Sequence, residues 1–224
     1  MPSQTRDSLV TLTNLLIDDP SQQRFTAAQV QAKIQEAQER FVLDTRLLRD
    51  TEASSAVANQ QEYALPSDIL DAVRLSVDGV QKTRISKADL DFFNESRWDQ
   101  TYGVPQYYYV DLDPNNKKFG LYPIPTTAGS SNISLEYVKL PPTLSAGSSV
   151  PLDGHTLLTP YHNALAYWAA AELLVINPTQ EGLVKIGAYK KRYADETSHA
   201  IEAFKHMELS QGWRMNGGRF HRGL

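Results

Sequence analysis

The sequence predicts an α+β protein in which an antiparallel helical bundle carries an inserted β-rich domain and ends in an extended C-terminal tail. Apolar residues recur at helical spacing on both sides of a central block whose short apolar runs alternate and are separated by turn signals. Strands spread over this much chain bury a face only by pairing with one another, and their pairing brings the flanking helices together. The predicted organisation is N-terminal helices at residues 1–61, the β-rich domain at 62–142, a C-terminal helix hairpin at 143–209 and the tail at 210–224.

The composition is that of an ordinary globular protein of 224 residues with a formal net charge of -4 and no cysteine. A chain of this length forms one domain, or one domain with a sizeable insertion. The net charge does not favour neutralisation of nucleic-acid phosphates, and the absence of cysteine excludes disulfides and thiolate metal sites. The most apolar run, residues 164–176, is shorter than the ~20 residues that a membrane span needs. We therefore expect a soluble, intracellular product without membrane contact.

The N-terminal segment predicts two helices. Residues 6–16 place leucines on one helical face. Thr26 with Gln29 three residues later forms a capping-box signal, and it opens an amphipathic helix over residues 27–48. Residues 50–61 are polar and small, so we expect a loop there.

The central block predicts a set of short strands that pair with one another. Residues 73–77 alternate apolar and polar side chains, and Asp78-Gly79 directly after them is a strong hairpin signal. A short helix is expected from Ser86, with Asp89 three residues later at the capping position. Further strands are predicted at residues 63–65, 80–85, 107–110, 119–122 and 133–137.

The C-terminal part predicts a helix hairpin. Thr159 is placed to cap a helix with Pro160 in its first turn. Residues 161–176 are apolar almost all round, which indicates a helix buried on more than one side and suggests a subunit interface. Asn177-Pro178 ends this helix, and a second amphipathic helix is predicted from residue 180 to about residue 207.

The last fifteen residues, SQGWRMNGGRFHRGL, have a different composition. Four glycines in residues 210–224 predict that the segment does not hold a helix. It carries three apolar side chains that a solvated tail does not need and three arginines without an acid: Trp213, Met215 and Phe220, and Arg214, Arg219 and Arg222. Two interpretations stay open. The segment is a frayed terminus, or it orders on a partner with the apolar residues as anchors and the arginines meeting carboxylates.

Motifs for catalysis or cofactor binding are largely absent from the sequence. It has no phosphate-binding glycine loop, no dinucleotide fingerprint and no nucleophile elbow. Glu196 and His199 have Glu-x-x-His spacing, but a di-iron bundle needs a second such motif, so we expect a solvated helix face. The run from Asp111 to Asn116 resembles the start of a calcium loop without its glycine and its final glutamate, and a turn is favoured. We predict no catalytic residues, no metal and no cofactor.

The tyrosines Tyr107, Tyr108 and Tyr109 form an aromatic cluster that could stack on sugars or bases. Basic residues are not interleaved with them, so packing in a core or an interface is favoured over nucleic-acid binding. A carbohydrate-binding module therefore remains an alternative function, as does an enzyme, either a helical metal oxidase or a wall-degrading hydrolase.

Four sequence motifs follow one another in the central block: YALPSDILDAVRLSVDG at residues 63–79, GVPQYYY at 103–109, FGLYPIP at 119–125 and ISLEYVKLPP at 133–142. Together with the helical start and the closing helix hairpin, they resemble tailed-phage head-to-tail adaptor (connector) proteins over roughly residues 8–207. The combination of four motifs is similar to that of this family: an LP-x-D strand entry, a hairpin with V-D-G, G-x-P-x-Y and LYPIP. They form a pattern of order and phrase without a catalytic signature.

The resemblance implies a structural virion protein at the head–tail junction, made in the host cytoplasm. Family members resemble one another in forming a twelve-subunit ring below the portal protein, extending the DNA channel and presenting a platform for the tail tube or nozzle. DNA would pass through the ring without sequence-specific binding. The resemblance also implies that the C-terminal segment docks on the portal through Trp213, Arg214, Met215, Arg219, Phe220 and Arg222. Another head-completion protein or a tail-tube or nozzle protein is the alternative within assembly.

Overall fold

The computed structural model describes residues 4–93, 97–127, 132–178 and 180–216. It has mixed α+β secondary structure, which confirms the predicted class. The chain divides into two compact units, a helical unit made of Met1–Leu48 with Pro141–Leu224 and a β unit made of Arg49–Leu140. The α-helices are α1 (Arg6–Leu16), α2 (Ala27–Thr45), α3 (Lys87–Phe93), α4 (His162–Ile176) and α5 (Gln180–Asn216).

The first two helices begin at side-chain caps. The Thr5 hydroxyl caps α1, and the predicted capping box of α2 is confirmed. The Thr26 hydroxyl accepts the Gln29 N–H at 3.3 Å, and the Thr26 N–H donates to the Gln29 side chain at 2.9 Å. Helix α2 ends three residues before the predicted residue 48, because Arg46 adopts a left-handed conformation with φ 55°.

A buried carboxylate shapes the connection between α1 and α2. Asp19 is 3% exposed, and its side chain accepts the backbone N–H groups of Gln23, Arg24 and Phe25 at 2.7, 2.9 and 3.0 Å. Burial opposes its ionisation, but these three donors hold the pKa of Asp19 below its usual value. These hydrogen bonds take the place of regular secondary structure at this turn and orient the chain as it enters α2.

Helix α4 is the centre of the helical unit and contacts α1, α2 and α5. The prediction that Thr159 caps it is wrong. Residues Thr159–Tyr161 form a 3₁₀ turn, and α4 starts after Tyr161 without a side-chain cap. Most of its side chains are buried by the three neighbouring helices. The all-round apolar character is thus accounted for within one chain, except at the last turn, where Val175 and Ile176 are 50% and 61% exposed.

In the described part of the β unit, the strands form two four-stranded sheets and a two-stranded pair. They are β1 (Arg49–Ser55), β2 (Glu62–Ala64), β3 (Ile69–Val77), β4 (Val80–Gln81), β5 (Thr83–Arg84), β6 (Tyr102–Gly103), β7 (Tyr107–Asp111), β8 (Lys118–Tyr122), β9 (Ile124–Pro125) and β10 (Asn132–Lys139). The sheet orders are β1-β10-β3-β4, β2-β8-β7-β5 and β6-β9. The predicted hairpin is confirmed, because Val77 pairs with Val80 across Asp78 and Gly79, whose φ angles are 53° and 74°.

Strand β1 contradicts the predicted loop at residues 50–61. Its sequence, RDTEASS, pairs with β10 in an unbroken antiparallel register from Arg49↔Val138 to Ser55↔Asn132. None of its seven residues is buried. It therefore lacks the alternation on which strand prediction relies, and pairing with β10 determines its conformation.

The core of the β unit combines aliphatic side chains of β3 and β10 with aromatic ones of β2, β7 and β8. Tyr63 and Phe119 stack at 5.2 Å between ring centroids. The Tyr109 ring lies over Gly120, where the Cβ of any other residue would overlap the ring. A glycine at position 120 is therefore required for this close approach.

Candidate assembly surfaces

Helix α5 is the longest element of the chain. Its 37 residues correspond to a rod about 55 Å long. Contacts with the rest of the helical unit are distributed along it. The Tyr189 hydroxyl donates to the Leu16 carbonyl at 2.8 Å, and Lys190 pairs with Glu172 at 3.4 Å. Further along, the rings of Phe204 and His155 lie 6.2 Å apart.

One hydrogen bond from a buried tyrosine links α5 to α2. The Tyr193 hydroxyl donates to the Asp44 carboxylate at 2.8 Å, and Tyr193 is 8% exposed. Burial and the bond to Asp44 both raise the pKa of Tyr193, so the phenol stays protonated and keeps donating at any physiological pH. This bond holds the middle of α5 in a defined position.

The predicted partner-binding residues fall at the far end of this helix. The prediction that residues 210–224 do not hold a helix is wrong as far as Asn216, because α5 continues to that residue. Trp213, Arg214 and Met215 lie in its last turns. Arg219, Phe220 and Arg222 lie outside the described residues.

The tyrosine cluster is mostly core. Tyr108 and Tyr109 are 2% and 1% exposed, whereas Tyr107 faces out at 39%. The Tyr109 hydroxyl donates to Glu62 at 2.9 Å, and Trp98 packs edge-on against its ring at 5.4 Å. Two of the three rings are therefore occupied by intramolecular packing, as the favoured interpretation predicted.

The other sequence candidates have structural roles. The segment after Asp111 is a turn between β7 and β8, where the Asp111 and Asp113 carboxylates accept the N–H groups of Asp113 and Asn115 at 3.3 and 2.8 Å. His199, of the Glu-x-x-His pair, accepts the Tyr161 hydroxyl through its backbone carbonyl at 3.5 Å. Within the described ranges, no group of three or more His, Asp or Glu side chains could hold a metal ion.

One surface escaped the sequence analysis. Periodicity assigns Leu183 to the packed face of α5, yet Leu183 and the adjacent Val184 are 61% and 78% exposed. They lie near the start of α5, which follows the exposed last turn of α4 in the chain. Helical period alone missed this surface, because it identifies an apolar face but not the point at which neighbouring helices stop covering it.

A comparison with protein families identifies the chain. The sequence profile of the family described as SU10 adaptor protein matches residues 4–211, which is nearly the whole chain. The chain belongs to the SU10 adaptor family. No curated protein sequence matches it.

Family membership makes this chain a bacteriophage adaptor protein and a component of the virion at the head–tail junction. This confirms the family suggested by the strand phrases and the closing helices. The match covers both the helical unit and the β unit, so both units are part of the region shared with the adaptor family. In the part of the chain that the structure describes, no helix is both long and apolar enough to cross a membrane.

Proposed function

We propose that this adaptor is the subunit of a homo-oligomeric ring, of twelve copies, that joins the portal protein to the tail and extends the DNA channel. The family match over residues 4–211 carries this proposal. In each subunit of this ring, the helices of the helical unit form a bundle, and the β unit is an insertion in the chain between them. The net charge of -4 supports passage of DNA without retention, since an excess of basic residues would bind phosphates. The subunit acts structurally, without catalysis or a cofactor.

The portal is the partner of the C-terminal segment in this proposal. Trp213, Met215 and Phe220 act as apolar anchors, and Arg214, Arg219 and Arg222 pair with carboxylates of the portal. Since α5 extends to Asn216, Trp213, Arg214 and Met215 are presented on a helix, which reduces the ordering cost of docking. The tail tube or nozzle binds elsewhere on the ring.

Electron microscopy of the purified protein, alone and mixed with portal rings of its own phage, tests the ring. We expect rings, or portal rings that gain a second tier. A protein that remains monomeric and leaves the portal unchanged contradicts the proposal.

Truncation tests the docking segment. Deleting residues 210–224 should leave the thermal unfolding of the protein unchanged and abolish portal binding, while deleting 217–224 retains Trp213 and Met215 and should weaken binding only in part. Trp213→Ala should cost about 2 kcal/mol of binding, or roughly thirtyfold in affinity, if Trp213 is a central anchor. Unchanged affinity after the longer deletion would rule out this segment as the docking site.

A further inference from the structure

Strand β1 is the longest edge strand described in the β unit. It lies at one end of the sheet β1-β10-β3-β4, and its seven residues pair with β10 without a bulge. The other described edges of the two four-stranded sheets, β2, β4 and β5, have three, two and two residues. Proteins usually keep a free edge short or interrupt it with proline or a bulge. A long, regular edge therefore indicates a surface that a further strand can join.

The pairing pattern shows which backbone groups of β1 face away from the sheet. In antiparallel sheets, successive residues direct their N–H and C=O groups to opposite sides. The Leu75 carbonyl of β3 accepts the Lys82 N–H at 2.8 Å, so Leu75 bonds towards β4. Leu135, which is opposite Leu75, therefore bonds towards β1, where its partner is Glu52. Glu52 is thus bonded to β10, and the residues on either side of it face the open edge.

The open edge of β1 presents the backbone groups of Thr51, Ala53 and Ser55. The Thr51 N–H agrees with this assignment, because the Asp50 carboxylate accepts it at 2.8 Å outside the ladder. Among the described residues, the N–H groups of Ala53 and Ser55 and the carbonyls of all three have no partner. An extended polypeptide presents donors and acceptors at the same spacing, so a strand is the partner that matches this array.

One charge on β1 indicates the chemistry of that strand. Arg49 and Asp50 already form ion pairs with Glu136 and Lys139 of β10. Glu52, in the middle of β1, is exposed and has no ion pair or hydrogen bond among the described residues. Opposite charges on neighbouring strands stabilise a sheet. A lysine or arginine opposite Glu52 would therefore complete the set of cross-strand pairs.

The same residue disfavours a second copy of β1 as the added strand. Two-fold antiparallel pairing of β1 with itself over all seven residues would place Glu52 directly opposite Glu52. Like charges in this position destabilise the pairing. A segment of a different protein fits the edge better.

We propose that the open edge of β1 binds an extended segment of another protein of the phage particle, by strand addition, with a lysine or arginine opposite Glu52. Main-chain hydrogen bonds to Thr51, Ala53 and Ser55 supply the affinity, and the charge pair at Glu52 sets the register. This site does not depend on the ring or on the portal docking proposed above, because neither uses β1.

Site-specific photo-cross-linking in the phage particle tests the site. A p-benzoylphenylalanine replaces Thr51 and, as a matched control, Val80, which is 60% exposed on the edge strand β4 of the same sheet. The adduct is mapped by mass spectrometry. We expect position 51 to cross-link a different virion protein at a segment with a lysine or arginine within about three residues, and position 80 not to give this adduct.

Each other result of the cross-linking contradicts the proposal. An adaptor–adaptor adduct assigns the edge to a second copy, and an adduct at a segment without a basic residue removes the pair at Glu52. The same adduct from both positions shows that the reaction is not specific to β1. No adduct from position 51 shows that the edge stays in solvent.

A proline distinguishes the open side of β1 from its paired side. Ala53→Pro removes an N–H that faces the open edge, whereas Ser54→Pro removes one that the ladder with β10 uses. Ala53→Pro should therefore abolish the adduct from position 51 with little change in Tm. Ser54→Pro should lower the Tm by several degrees. An adduct that persists in Ala53→Pro would show that no strand is added at this edge.

Charge reversal tests the partner without a change to the backbone. Glu52→Lys should lower the yield of the adduct from position 51 by about threefold or more, because like charges then face each other, and Glu52→Gln should lower it less. Thermal unfolding should be unchanged in both variants, since Glu52 is exposed and has no ion pair to lose among the described residues. Equal yields from the three proteins overturn the proposal.

Discussion

Helix α4 and strand β1 represent opposite ways of ordering a segment. Helix α4 is apolar on nearly every side and is buried by α1, α2 and α5. Strand β1 is polar, has no buried residue, and is ordered by its ladder with β10 and by two cross-strand ion pairs. These are Arg49 with Glu136 at 3.2 Å and Asp50 with Lys139 at 3.1 Å.

The two segments differ in how much their side chains contribute to stability. Apolar burial contributes about 25 cal/mol per Å² at α4, whereas exposed ion pairs such as those of β1 typically contribute less than about 1 kcal/mol each. Side-chain substitutions in α4 should therefore be costly and those along β1 tolerated.

Leu165→Ala should produce the largest loss. Leu165 is fully buried in α4, so its truncation leaves a cavity and should lower the free energy of unfolding by about 2–5 kcal/mol. Chemical denaturation measures this change. Val175→Ala, in the half-exposed last turn of the same helix, is the control and should cost less than about 1 kcal/mol. Equal losses at both positions would contradict the assignment of Leu165 to the centre of the core.

The pH dependence of stability should show the effect of His162, the one polar residue among the buried positions of α4. His162 is fully buried, and neither ring nitrogen has a hydrogen-bond partner among the described residues. Burial lowers its pKa from 6.5 to about 4. The unfolded chain therefore binds a proton below pH 6.5 that the folded chain does not, so stability falls as the pH drops from 6.5 towards 4.

The expected loss from His162 between pH 7 and pH 5 is about 2 kcal/mol in the free energy of unfolding. His162→Leu removes this group, while carboxylates with lowered pKa values contribute equally in both proteins. Denaturation of the two proteins at both pH values isolates the histidine. If the stability difference between them does not change with pH, His162 is not held neutral by burial.

Glu136→Gln should have the smallest effect. Glu136 lies on β10 between Arg49 and Arg74, at 3.2 and 2.6 Å, and all three side chains retain some exposure. We expect a loss of at most about 1 kcal/mol, which decreases further at high salt. Glu52→Gln is the control, with the same charge change on β1 itself. A loss as large as that of Leu165→Ala would show that the ion pairs, more than the backbone ladder, hold β1 in the sheet.

Local sequence signals predicted much of this fold because their physical cause is local. The capping box at Thr26 and Gln29, the Asp78-Gly79 turn and the Asn177-Pro178 helix stop depend on neighbouring residues, and each occurs where predicted. The phrases of the β unit also identified the adaptor family. The partner-binding residues at the C-terminus remain a prediction.

Other features depend on contacts between residues far apart in sequence, so local signals could not predict them. Strand β1 is a strand because β10 lies beside it, and the paired residues are 77 to 89 positions apart in the chain. Periodicity identified the apolar residues of α4 and α5, but the packing of α1 and α2 determined which stay exposed at Val175 and Leu183. Apolar side chains have the same affinity for a partner within the chain and for one outside it, and only the arrangement of the helices distinguishes the two.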